Sequence, residues 1–221
     1  MRQQMGGCLP AARIGLSPDN FIRQRLELAP LPFRPDISLY RPTPQSRLTT
    51  WLGEQGRKDI APYWAYAWAG GSALALYLAD HPEVVAGKTV LDFGAGSGLV
   101  GIAAAKAGGS VSAFEPDPIG RIACQLNATA NGIALTCVDD PLAEADIVLA
   151  GDVFYDAAVA ATSLPLLRQH AARGTIILIG DPYRRDLPRD ALTLLAQYEV
   201  PDMGAPALVP AGVFALHPQT I

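Results

Sequence analysis

The sequence predicts an α/β fold: a mostly parallel sheet with helices on both faces and an antiparallel hairpin at one edge. Three observations predict it. Short apolar runs alternate with helix-forming segments over residues 89–179; a glycine-rich turn, Gly94-Ala95-Gly96-Ser97-Gly98, joins the first run to the first of those segments; and the last two runs, at 198–201 and 213–216, have no helix between them. Strands separated by helices pair in parallel through right-handed crossovers and are buried on both faces. Two strands without a helix between them close antiparallel, here through a long loop containing Gly204 and Pro206.

Taken in order, residues 1 to about 18 are rich in Gly, Gln and Pro and read as a loose end. Asp19 can cap a short helix running to Leu28, with Phe21, Ile22, Arg25 and Leu26 at helical spacing. Pro30, Pro32, Pro35, Pro42 and Pro44 exclude regular helix beyond it, while Ile37 and Leu39 alternate with Ser38 and Tyr40 as in a short edge strand. Residues 1–60 have too little apolar content to close a core, and are read as an arm packed on a single domain at 61–221. Tyr63, Trp64, Tyr66 and Trp68 then put four aromatics into six positions of a chain that is 7% aromatic. Rings this dense serve as core or as a cover over a ligand. Gly70 and Gly71 follow, then a helix from Ser72 to about Ala79. Strands are predicted at 89–93, 110–114, 135–138, 146–150 and 175–179, with helices beginning at Leu99, Ile119, Ala157 and Leu187.

At 221 residues the chain suffices for one α/β domain and is short for two. Half of the residues are hydrophobic and 17% are charged, which excludes global disorder. A net charge of −4 argues against a nucleic-acid binder held by phosphate contacts and suits an enzyme whose partner is small or a protein. Cys8, Cys124 and Cys137 lie far apart and read as reduced thiols; His81, His170 and His217 are equally scattered, so no metal site is expected. There is no apolar run long enough to span a membrane, and residues 1–10 lack the apolar core of a signal peptide. The expectation is a cytoplasmic protein, a monomer or weak dimer, with neither nucleic-acid nor membrane partners.

The glycine turn indicates the ligand. Glycine permits both the bend and close approach of a bound group, and the N–H groups at the helix start favour electron-rich atoms. Leu99 stands where the dinucleotide fingerprint G-x-G-x-x-G requires glycine, so the pattern is G-x-G-x-G. Asp92, two residues ahead of Gly94, suits a ligand with a cationic head such as an α-amino group. The next strand ends at Glu115, about twenty residues beyond Gly94, where a carboxylate can accept from both hydroxyls of a ribose. This succession resembles the cofactor half of the class I S-adenosylmethionine-dependent methyltransferases. Their Rossmann-like seven-stranded sheet has the order 3-2-1-4-5-7-6 with strand 7 antiparallel, and the resemblance implies that fold here.

After the third strand, Asp139 or Asp140 can accept the exocyclic amine of adenine, or the pair is a solvated loop. The fourth strand ends in Gly151-Asp152-Val153-Phe154-Tyr155-Asp156. An Asp and a Tyr three apart on one turn can aim at a single amine, whereas a helix N-cap explains one Asp but not the set. This D-x-x-Y motif, with Pro62-Tyr63-Trp64-Ala65-Tyr66-Ala67-Trp68-Ala69-Gly70-Gly71 and Ile179-Gly180-Asp181-Pro182-Tyr183-Arg184, resembles the methyltransferase family 16 enzymes. Within that group it is similar to the electron transfer flavoprotein β-subunit lysine methyltransferases and their bacterial relatives, over roughly residues 30–216.

The resemblance implies a lysine N-methyltransferase that turns S-adenosylmethionine into S-adenosylhomocysteine. Trp68, Gly94, Gly96, Glu115 and Gly151 would hold the cofactor, with Asp92, Ala95, Gly98 and Pro116 beside them, while Asp152 and Tyr155 would face the acceptor. Pro116 departs from the common D-I-D-P pattern and removes a backbone donor near the adenine. Asp181 and Arg184 fall on the acceptor side and read as a loop salt bridge. The implied protein partner is the electron transfer flavoprotein β subunit. Alternatives are another protein such as a ribosomal one, a small amine, or a non-catalytic S-adenosylmethionine- or NAD-binding module. Leu99 counts against NAD, and the intact Asp152 and Tyr155 count against a silent module.

Overall fold

The computed structural model describes residues 15–203 and 207–217; most of the expected loose end, with Cys8, and the hairpin loop through Gly204 and Pro206 lie outside the described residues. The described chain opens with helix α1 (Pro18–Arg25), a hairpin of β1 (Glu27–Leu31) and β2 (Arg34–Arg41), and helix α2 (Leu48–Glu54). Among the elements expected here, the helix bounds differ, the short strand is present in a sheet of its own, and one helix is additional. The first helix starts at Pro18 after Ser17 and ends at Arg25, because Leu26 is already extended and Leu28 belongs to β1. Ile37 and Leu39 lie in β2, which pairs with β1 in a separate two-stranded sheet and edges nothing else. Its ladder shifts register between Pro30 and Leu31, where a strand tolerates proline. Helix α2 was not foreseen; seven residues are too few to give a clear period.

The main domain follows as α3 (Ala69–Asp80), β3 (Thr89–Phe93), α4 (Leu99–Lys106), β4 (Ser110–Phe114), α5 (Pro118–Ala130), β5 (Thr136–Val138), β6 (Ile147–Gly151), α6 (Ala157–Ala172), β7 (Ile176–Asp181), β8 (Leu192–Pro201) and β9 (Leu208–Leu216). Seven strands form one sheet in the order β5-β4-β3-β6-β7-β9-β8. Counted along this sheet's own strands, that is 3-2-1-4-5-7-6, with β9 antiparallel to both neighbours. The predicted Rossmann-like fold is therefore present. The helix expected from Leu187 is not: Pro188 interrupts it, a single 3₁₀ turn spans Arg189–Ala191, and β8 begins at Leu192. Pairing with β9 from Leu192 to Pro201 outweighs whatever helical tendency the leucines carry.

Strand periodicity divides the core. Val90, Ile147, Leu149 and Leu178 join α3 and α4 on one face; Leu91, Phe93, Val148, Ala150, Ile177 and Ile179 join α6 on the other. The arm packs along α5, where Phe21, Ile22, Trp51 and Leu52 share a cluster with Ile119, Ala123 and Leu126. Two amides, one in α5 and one directly after it, replace a missing strand partner: Asn131 both accepts from Ser38 N–H at 2.9 Å and donates to Ser38 O at 2.7 Å, and Asn127 accepts from Tyr40 N–H at 2.8 Å.

Helix α3 begins at Ala69, three residues earlier than predicted, so Gly70 and Gly71 lie inside its first turn. There the helix meets the sheet backbone to backbone. A Cβ on Gly70 would lie 2.1 Å from Gly180 O, one on Gly180 would lie 2.1 Å from Gly70 O, and one on Gly151 would lie 2.9 Å from Gly71 Cα. Backbone cannot yield as a flexible side chain can. Gly180→Ala is therefore expected to destabilise by about 1–3 kcal/mol or more. Gly53→Ala in α2, where a methyl meets nothing within 4 Å, should stabilise by about 0.5–1 kcal/mol. Urea titration of both variants checks the contrast, and equal effects would refute the contact.

Candidate active site

The carboxyl ends of β3, β4 and β6, the start of α3 and the first turns of α6 enclose a cavity of about 490 Å³, a size suited to a cofactor. Its floor is the turn after β3. Gly94, Gly96 and Gly98 have φ of 72°, 53° and 78°, in the left-handed region that a Cβ disfavours. A Cβ on Gly96 would have nothing nearer than 3.9 Å, so the turn presents bare backbone to the cavity. Gly98 serves packing instead: it does not line the cavity, and a Cβ there would lie 2.8 Å from Cys124 Sγ on α5. Ser97 O accepts from Asn127 Nδ2 at 2.8 Å, which holds the turn from behind.

Two acids flank the turn. Asp92, 1% exposed, accepts from Gly101 N–H in α4 at 2.8 Å through Oδ2; burial pushes its pKa up to about 7. Glu115 accepts from Gly96 N–H at 2.7 Å and from Asp117 N–H at 2.8 Å, one bond to each oxygen, and burial raises its pKa despite those bonds. Each of its oxygens keeps a second lone pair for a ligand hydroxyl. Ala95 and Pro116 also line the cavity. Asp139 and Asp140 do not: Asp139 pairs with Arg121 at the surface, and Asp140 accepts from Leu142 N–H at 2.8 Å. Asp139 is thus spent on α5 and Asp140 within its own loop.

The other end holds the D-x-x-Y pair. Asp152, with φ 55°, is 7% exposed. Its Oδ2 accepts from Gly71 N–H at 2.9 Å, at the start of α3, and its Oδ1 from Arg184 Nη2 at 2.9 Å. Burial pushes its pKa up to about 6 against the opposing pull of Arg184. Gly151 lines the cavity, but its closest neighbour is α3 itself. Tyr155, 37% exposed, stacks on Tyr63 at 4.5 Å between centroids, and burial pushes its hydroxyl up to about 12. Trp68 lies 5.5 Å from Tyr63 and 6.0 Å from Tyr66, and its indole N–H donates to Tyr63 O at 2.7 Å. Three of the four clustered aromatics, Tyr63, Tyr66 and Trp68, therefore wall the cavity, and the fourth, Trp64, is core.

The loop salt bridge expected between Asp181 and Arg184 is replaced by a different pairing. Asp181 Oδ1 accepts from the Arg184 main-chain N–H at 2.6 Å, and the guanidinium goes to Asp152. Asp181 is fully buried, which pushes its pKa up to about 6. Asn127 is a polar residue that sequence reasoning left out, although an amide among the apolar residues of an amphipathic helix was a signal. Arg184 was placed on the acceptor side but paired with Asp181, and nothing in the sequence pointed to Asp152 as its partner. Cys124 and Cys137, distant in sequence, are neighbours on α5 and β5, and their mutual hydrogen bond lowers the Cys137 thiol to about 7. No cluster of metal-ligating residues occurs among the described residues.

A sheet of this order, with its cavity over the first and fourth parallel strands, defines a class I methyltransferase. The family model for ribosomal protein L11 methyltransferase (PrmA) matches residues 72–165. The precorrin-6y C5,15-methyltransferase of Geobacter metallireducens shares the fold with a TM-score of 0.51 at 14% identity, covering 70% of this chain and 94% of that one. The electron transfer flavoprotein β-subunit lysine methyltransferase of Danio rerio is 41% identical over 180 residues, 76% of this chain and 69% of its own. That of Rattus norvegicus is 38% identical over 173 residues, 71% and 68% respectively. The chain belongs to this family of S-adenosylmethionine-dependent protein-lysine methyltransferases.

Burial of the carboxyls has a measurable consequence. Asp92, Asp152 and Asp181 have folded-state pKa values of about 7, 6 and 6, all above the unfolded value near ~3.9. The fold favours their protonated forms, so this contribution to stability is complete below about pH 4 and is lost as pH rises through 6 to 7. Asp92→Asn keeps an acceptor for Gly101 N–H without the charge. It should flatten the decline between pH 5 and pH 8 by about 2–4 kcal/mol in urea titrations. A variant that tracked the wild-type slope would show Asp92 ionised in the fold without cost.

Proposed function

We propose that the chain methylates a lysine ε-amine of electron transfer flavoprotein β subunit, with the cofactor over the glycine turn and the acceptor at Asp152 and Tyr155. One observation carries the reading: a single cavity has a bare glycine backbone and a buried acid at one end, and a buried aspartate behind a rim of aromatics at the other. The match to the β-subunit enzymes over three quarters of the chain supports the acceptor. The L11 family model stops at residue 165 and leaves out Arg184 and the closing hairpin.

The residues present fit S-adenosylmethionine. Gly94, Ala95 and Gly96 would cradle it, Glu115 would accept from its ribose, and Asp92 would meet its amino group, ionising as it gains a cationic partner. Pro116, Trp68 and Gly151 would close around it. When bound, the cofactor supplies a methyl already activated by its sulfonium. The chain's part is then alignment and dryness. Tyr63, Tyr66, Trp68 and Tyr155 exclude water from the lysine stem, and Asp152 and Tyr155 orient its nitrogen. Lysine, with a reference pKa near ~10.4, sheds its proton before transfer. Desolvation behind the aromatic rim favours that loss. No helix among the described residues is long and apolar enough to cross a membrane, and the cysteine usage supports a cytoplasmic setting.

Incubation with the recombinant β subunit and tritiated S-adenosylmethionine should label a lysine that mass spectrometry identifies; absence of methyl-lysine would sink the acceptor assignment. Glu115→Ala should weaken S-adenosylhomocysteine binding about 10- to 100-fold in calorimetric titration, from the loss of charge-assisted bonds. Unchanged affinity would contradict the ribose role. Asp152→Ala should lower turnover at least about 100-fold with cofactor affinity within a few-fold of wild type. Equal loss of both would assign Asp152 to the cofactor.

A further inference from the structure

Asp152 is never alone in this structure. Arg184 Nη2 lies 2.9 Å from its Oδ1, and the guanidinium carbon stands 6.0 Å from the centroid of the Trp68 ring. The arginine lines the cavity with its side chain about one-quarter exposed, and its backbone is fixed through the 2.6 Å bond from its N–H to Asp181. The place at which a protonated lysine would pair with Asp152 therefore already holds a cation. The first turn of α3 adds a second positive influence through Gly71 N–H.

We propose that Arg184 is a positioning residue that cancels the charge of Asp152, so that the site admits the acceptor lysine as the neutral amine rather than the ammonium ion. The inference rests on the reading of Asp152 as the acceptor-facing carboxylate. An unpaired carboxylate would favour the ammonium form and hold the proton that must leave. A carboxylate already paired with a guanidinium offers the amine a hydrogen-bond acceptor without the net negative charge. A lysine ammonium would meet the like charge of Arg184 in a poorly solvated space; a neutral amine meets no such penalty. Arginine suits this role because its planar guanidinium stays protonated and can pair with a carboxylate when partly buried.

The other charged groups do not alter the balance. Asp181, at the end of β7, faces Arg184 from below, but burial raises its pKa and its Oδ1 is taken by backbone N–H. Arg189, in the 3₁₀ turn before β8, opposes Asp181 rather than Asp152. Tyr155 across the mouth is neutral at physiological pH, its hydroxyl pushed up to about 12. Glu115 is committed to Gly96 and Asp117 at the opposite end.

The test uses n-butylamine as a probe of the lysine stem, with S-adenosylhomocysteine present, and compares wild type, Arg184→Met and Arg184→Lys after thermal melts establish that each is folded. Wild-type affinity for the amine, read by NMR titration, should rise about tenfold per pH unit between pH 7 and 10, following the neutral fraction. In Arg184→Met it should become nearly independent of pH and at least about tenfold tighter than wild type at pH 7. Arg184→Lys should restore the wild-type slope. In parallel, the Asp152 carboxyl resonance should titrate about one pH unit or more higher in Arg184→Met and return toward wild type in Arg184→Lys. The same pH dependence in wild type and Arg184→Met, or an unmoved Asp152 titration, would overturn the inference. Failure to find methyl-lysine in any protein would remove the acceptor reading but leave the Asp152 titration to decide whether Arg184 sets its charge.

Discussion

The active site depends on one close contact, that of the first turn of α3 with the ends of β6 and β7. Gly70 and Gly71 lie on Gly151 and Gly180 at a separation that leaves no room for a Cβ on any of three of these four residues. Only at that separation does Gly71 N–H reach Asp152, and only then does Trp68, immediately before the helix, stand over the cavity. The helix start has no cap of its own from Trp68; its N–H groups go to Asp152 and, at Ala69, to Asp202 at the end of β8, 3.2 Å away. Asp152, the aromatic rim and the closing hairpin are thus registered on one helix terminus. A widened contact would move all three together.

The same economy of partners recurs along the carboxyl edge of the sheet. Asp92, Glu115, Asp152 and Asp181 are all buried, and each accepts from main-chain N–H: Gly101, Gly96 with Asp117, Gly71 and Arg184 respectively. Backbone donors fix the direction of a carboxylate while supplying only partial charge, so desolvation still dominates and these acids sit above their ordinary pKa range. Asp152 alone also receives a full cation. The four acids are therefore inequivalent: Asp92, Glu115 and Asp181 are held by main-chain N–H alone, whereas Asp152 also has a guanidinium against it.

The legible parts of the chain were those in which local pattern and tertiary role coincide. Strands β3 and β4 were placed to the residue because alternation and flanking glycines agree, parallel pairing followed from where helices separate strands, and the sheet order came from the resemblance to the class I methyltransferases. Illegible parts were those decided across the molecule. Residues 187–192 contain leucines that fit a helix or a strand, and the partner strand β9 settles the matter. The prolines at 30 and 35 forbid a helix without disclosing that the segment is a hairpin, because its hydrogen-bond partners are side chains in and directly after α5, nearly a hundred residues away. Around the cavity, glycines and acids next to strand ends could be read as such, whereas Asp139 and Asp140 carried the same sequence signal and are taken by Arg121 of α5 and by their own loop respectively.

Asn127 shows why the arm belongs to the chemistry of the domain. Wholly buried, its amide donates to Ser97 O in the glycine turn and accepts from Tyr40 N–H in β2. A buried amide with one end unsatisfied costs about 1–3 kcal/mol, so each contact stabilises the orientation that the other requires. The Ser97 carbonyl is thereby committed to α5, and the fixed position of β2 against α5 is part of what holds it. The N-terminal arm, none of whose described residues lines the cavity, thus constrains the glycine turn from its far side through one side chain.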